Sequence, residues 1–153
     1  MTKLISLLSL LSMSAFAEPA SDAVFNYTFF GNTGGRYTMV ACSYAEPVVE
    51  SAMTKFGATK VSVQCSGGIT PFGVYPLSLR VTYVAPVTTG ATKVEKVKLE
   101  SGPFSGDSNC DFDVAVIGAL IRDFPNVAID RRRDYCFRSD SPYSFELNVT
   151  LPK

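Results

Sequence analysis

A shift of 68 positions lays one half of this chain over the other. Cys42 falls on Cys110, Tyr44 on Phe112, Val48 on Val116, Val49 on Ile117, Met53 on Ile121, Phe56 on Phe124 and Val61 on Ile129. Apolar positions matched in a single register point to a duplicated unit. From Tyr44 to Phe56 they recur at the spacing of one helical stripe, and the second half repeats the stripe. Two amphipathic helices, each with one buried face, are therefore expected. The first starts at Ser43, where Ser43-Tyr44-Ala45-Glu46 suits a capping box, or a few residues later with Pro47 in its first position; Gly57 stops it. The second has Asn109 and Asp111 as caps and ends at Pro125.

Period-2 segments flank each helix and read as strands. Residues 37–41 precede the first helix, with 61–65 and 77–84 after it; residues 94–99 precede the second, with 127–133 and 143–151 after it. The unit is β-α-β-β, used twice (36–86 and 93–152), with an additional strand at 24–30 that turns back through the Gly-rich residues 31–35. Leu77, Leu79, Val81 and Tyr83 alternate with Ser78, Arg80 and Thr82, and Phe145, Leu147, Val149 and Leu151 alternate with Ser144, Glu146, Asn148 and Thr150. One apolar and one wet face predict an α+β two-layer sandwich, a largely antiparallel sheet with both helices on one side. The arrangement resembles the ferredoxin-like class with an extra strand per half. Gly57-Ala58-Thr59-Lys60-Val61-Ser62-Val63 is similar to the helix-to-strand passage of heavy-metal-associated domains. Their paired-cysteine metal loop is missing, so the resemblance implies no copper carriage.

Lys3, a short run rich in Leu and Ser, and Ala15-Phe16-Ala17 form the pattern of a cleavable leader, so residues 1–17 are expected to be removed by a Sec-type, bacterial-looking pathway. The apolar run is too short to span a bilayer, and no later run is long enough, so no transmembrane anchor is expected. Residues 18–153 have the length of one domain. Export to the periplasm or beyond makes the even set Cys42, Cys65, Cys110 and Cys136 read as two disulfides, and the lack of any C-x-x-C spacing disfavours zinc and redox chemistry. In a β-α-β crossover the helix start and the end of the next parallel strand share a sheet edge. That pairs Cys42 with Cys65 and Cys110 with Cys136.

The chain has 14 basic and 14 acidic side chains and no histidine. Balanced charge gives no general pull toward nucleic acid, and the missing histidine removes the commonest general base and catalytic-zinc ligand. No nucleophile elbow, P-loop or dinucleotide fingerprint is present, and no cofactor is expected. Four features remain. Asp107, Asn109, Asp111 and Asp113 offer oxygens at alternate positions, as a calcium loop begins, but Phe112 stands where the loop needs Gly and Gly118 where it needs Glu. Arg131, Arg133 and Arg138 suit anion binding, with Arg132 on the opposite strand face and acids interleaved. The connection at residues 66–76 is rich in Gly and Pro yet carries Ile69, Phe72, Val74 and Tyr75, whereas its counterpart at 137–142 is shorter and polar; recognition competes there with covering the end of the core. Carboxylates such as Glu46, Glu50, Glu100 and Asp107 would serve a hydrolase only if they converged in space. The expected function is a non-catalytic exported domain that binds a protein or envelope component, against two alternatives: a small carboxylate hydrolase acting on envelope glycans or peptides, and a structural envelope protein without a ligand site.

Overall fold

The computed structural model describes residues 22–30, 32–33, 36–37, 40–100, 107–133, 136 and 143–153. The leader at 1–17 and Arg138 lie outside them. In chain order the elements are β1 (Asp22–Phe29), β2 (Asn32–Thr33), β3 (Arg36–Tyr37), α1 (Cys42–Lys55), β4 (Thr59–Thr70), β5 (Gly73–Val84), β6 (Thr92–Glu100), α2 (Asp107–Asp123), β7 (Val127–Arg133) and β8 (Ser144–Pro152). The fold is α+β.

The strands pair as two three-stranded antiparallel sheets, β1-β5-β4 and β6-β8-β7, beside the small β2-β3 ladder. This differs from the single sheet expected. Each half satisfies its own central strand on both sides, β5 between β1 and β4 and β8 between β6 and β7. The halves are joined by an irregular segment containing Pro86, which has no N–H to offer a ladder. In both sheets the first and second strands run parallel, with a helix between them in sequence.

A second difference concerns the opening strand. Tyr37 closes the β2-β3 ladder and Val40 and Ala41 lead into α1, so the first place in the sheet belongs to β1, not to residues 37–41. The physical reason is length and pattern: all eight residues of β1 pair with β5, and this brings Phe25, Tyr27 and Phe29 to the core side. Likewise residues 66–76 are not a loop. β4 and β5 extend through them as a hairpin that closes between Thr70 and Gly73.

α1 begins earlier than Pro47, which lies inside the helix, and Ala41 at its N-cap makes no side-chain capping bond. Its C-terminus follows the glycine signal. Gly57, at φ +90°, lets Ala58 N–H reach Met53 O (3.0 Å) and Gly57 N–H reach Thr54 O (3.0 Å), the paired bonds of a Schellman motif.

One core spans both halves. Phe56, Phe112, Phe124 and Phe145 are fully buried, each contributing about 1.5–3 kcal/mol by removal from water. Phe56 meets Phe124 edge-on at 5.4 Å between ring centroids, Tyr83 stacks on Phe124 at 5.2 Å, and Phe29 meets Phe112 edge-on at 5.4 Å. Asn126 adds a polar tie, its Nδ2 donating to Phe56 O (2.9 Å) and Thr150 O (3.1 Å) while its backbone carbonyl accepts from Thr150 N–H (2.8 Å).

Two disulfides complete the frame. Cys42 is bonded to Cys65 and Cys110 to Cys136, each with Cα atoms 5.6 Å apart. Each ties the start of a helix to the strand side of its own half.

Candidate functional site

The β4-β5 hairpin is built to hold an exposed tip. Ser66 to Gly68 is a bulge with Gly67 and Gly68 at φ +80° and +69°. A β-carbon on Gly67 would stand 2.0 Å from Pro76 O, and one on Gly68 2.3 Å from Val40 O. Both neighbours are backbone and cannot yield, so glycine is required. The close approach lets Ile69 N–H donate to Val40 O (3.1 Å), and Cys65 is tethered to α1 just below. At the apex Thr70 Oγ1 accepts from Phe72 N–H (3.2 Å) and donates to Gly73 O (3.2 Å), while Tyr75 Oη donates to Phe72 O at 3.5 Å.

On this frame stand Ile69, Phe72, Val74 and Tyr75, all exposed, with Phe72 at 89%. Phe30, at 72%, joins them from the end of β1. Phe29, Phe30, Val40, Gly68 and residues 74–77 line a cleft of about 210 Å³. No charged residue occurs from Val61 to Leu79 or from Ala23 to Gly35. The tip is therefore an apolar, uncharged projection beyond the core.

The arginines go elsewhere. Arg131 and Arg133 lie opposite Glu146 and Ser144 on the wet face of the second sheet, and Arg132 lies opposite Phe145 with its guanidinium 5.5 Å from that ring. The bulge between Ile129 and Arg131 shifts the register by one residue, so that Arg131 and Arg133 leave the row of Ile129 and Leu147 and join that of Glu146 and Ser144. Arg131 Nε is 3.9 Å from Glu146 Oε2, and Lys98 pairs with Glu100 at 2.5 Å, so acids interleave with the cations of this face.

Positions 107, 109, 111 and 113 fall within α2, where alternate positions turn by about 200°, so this spacing does not place Asn109, Asp111 and Asp113 on one side of the helix. Among the described residues no group of three or more His, Cys, Asp or Glu side chains could hold a metal. Glu46 and Glu50 sit on α1, and Glu100 ends β6.

Asp113 has a different place, one that sequence spacing did not reveal. It is 1% exposed, between α1, α2 and the residue leading into β8. Tyr44 Oη donates to its Oδ2 at 2.6 Å and the Tyr143 hydroxyl also bonds the carboxyl, while Oδ1 has no partner among the described residues. Burial pushes the Asp113 carboxyl up to about 6 against the lowering effect of the two hydroxyls. Burial and the adjacent acid push both tyrosines well above the ordinary phenol range. Tyr44 occupied a helical stripe, and only its pairing 69 residues away gives it a polar role.

Compared with known proteins, the chain matches no family model, no curated protein and no solved structure. Among the described residues no helix is long and apolar enough to cross a membrane.

Proposed function

We propose that this is an exported, non-catalytic binding domain that docks a partner protein or envelope component on the tip of its β4-β5 hairpin. The observation that carries the reading is the set of exposed apolar side chains, Phe72 above all, on a hairpin fixed by two obligatory glycines and a disulfide. Solvent exposure of so many apolar groups in one uncharged patch is unfavourable unless something covers it. A preorganised tip also loses little conformational freedom on binding. Two disulfides support export, because such bonds persist in oxidising compartments. The two halves read as copies of one β-α-β-β unit, supported by their common strand order and the 68-residue register of α1 with α2 and β5 with β8. On that reading the longer first hairpin is the part elaborated for binding.

The test is capture of partners from envelope extracts by the immobilised protein and by a Phe72→Ser, Tyr75→Ser variant. Both positions are exposed, so the variant should fold with nearly unchanged stability. Loss of a reproducibly captured component supports the reading; identical capture by the two proteins removes the hairpin as the site.

A further inference from the structure

The solvent face of the first sheet differs from that of the second in one chemical respect. Register places Asn26, Arg80 and Gln64 in one cross-strand row, and Thr28, Ser78 and Ser66 in the next. Directly opposed residues of a sheet share a face, with β-carbons about 4.5–5.5 Å apart. These six side chains border a groove of about 410 Å³, within the range of small-molecule sites. Arg80 lies at the centre and forms no ion pair among the described residues. The nearest acid along β1 on that face is Asp22, four residues from Asn26 and so roughly 13 Å along the strand. On the second sheet, by contrast, Lys98 and Arg131 both have acidic partners.

We propose that this groove binds a sugar bearing a single carboxylate, with Arg80 taking the carboxylate and the amides and hydroxyls around it taking the sugar hydroxyls. A guanidinium forms two parallel bonds to a carboxylate, which a lone ammonium cannot do. Asn and Gln side chains each offer donors and an acceptor, and Ser and Thr offer both in one group, so the surrounding array matches the mixed demand of vicinal hydroxyls. A single cation suits a single anionic group. A nucleic-acid backbone would need several cations in a row, and among the described residues Arg80 is the one charged side chain bordering this groove. The groove is separate from the hairpin tip and does not depend on it.

The experiment is an amide chemical-shift titration of the folded protein with glucuronate, glucose and inorganic phosphate at low ionic strength. Glucuronate is expected to shift amides of residues 26–28, 64–66 and 78–80, with binding at least tenfold weaker in Arg80→Gln and several-fold weaker in Gln64→Ala. Arg80→Lys should fall between Arg80→Gln and the parent, because it keeps the charge and loses the fork. Glucose should shift the same amides only weakly. No shifts with glucuronate at tens of millimolar, or shifts unchanged in Arg80→Gln, overturn the proposal. Phosphate binding as tightly as glucuronate overturns the sugar assignment. Arg80 is exposed, so its substitution should leave the fold intact, and the unshifted remainder of the spectrum reports that directly.

Discussion

Asp113 couples the fold to pH. Its folded-state value of about 6 lies above the ordinary carboxylate value near 3.8, so the folded protein holds this proton more tightly than the unfolded chain. The resulting stability is fully present below pH ~4 and is lost as pH rises through about 6, amounting to roughly 2–3 kcal/mol for a shift of about two units. Thermal unfolding followed from pH 4 to 8 should show a midpoint that falls across this window, and Asp113→Asn should flatten that part of the profile. An unchanged slope in the variant would assign the titration to another group. Tyr44→Phe removes the 2.6 Å donor and should destabilise by about 1–3 kcal/mol, more at pH 8 than at pH 4, because the ionised carboxylate loses more than the neutral acid. Gly68 makes the other demand at this scale. Gly68→Ala adds a strained positive φ to a contact with Val40 O and should cost more than about 2 kcal/mol in denaturant unfolding, the largest effect of any single added methyl in the hairpin except at Gly67.

The elements show what could be read from residue order and what could not. The helical stripes, the alternation in β5 and β8 and both cysteine pairings follow from local periodicity and crossover geometry, which sequence displays directly. The split into two sheets depends on which edges stay unpaired, a non-local property that alternation does not encode. Gly67 and Gly68 resemble loop formers because a bulge uses the same positive φ as a turn, so the hairpin reads as a connection. The apolar side chains of the tip were visible in sequence, but their exposure was not. The buried Asp113 was masked by a spacing that suits a calcium loop and a helix start equally. Each disulfide closes a span of 23 or 26 residues, for which the chain-entropy relation gives about 3.5 kcal/mol. Replacing either pair by serines should lower the unfolding free energy measured by urea denaturation by a similar amount. The Cys42 and Cys65 replacement should in addition loosen the tip, read as faster amide exchange at Ile69, whose N–H bonds to the segment just before Cys42.

At the scale of the whole molecule the two sheets are independent ladders, but the apolar core is not divisible. Phe124 of the second half lies against Phe56 and Tyr83 of the first, Phe29 lies against Phe112, and Asn126 bonds to the last turn of α1. Cutting the chain in the 85–91 segment would therefore leave every strand ladder intact while exposing five aromatic rings and orphaning Phe56 O. A half of this size buries a smaller fraction of its surface than the whole, so it has little reserve against that loss. Residues 22–86 and 92–153 expressed separately should each lack fixed side-chain packing, with poor amide dispersion and no cooperative melt. The intact protein should unfold in one transition by far-ultraviolet and aromatic probes alike. Asn126→Ala is the graded version of the cut: it removes the side-chain donor from one buried and one part-buried carbonyl and should cost about 1–3 kcal/mol while leaving the transition single, since the aromatic contacts remain. A cooperative melt in either isolated half would mean that the Phe56 and Phe124 contact joins two finished domains instead of completing one.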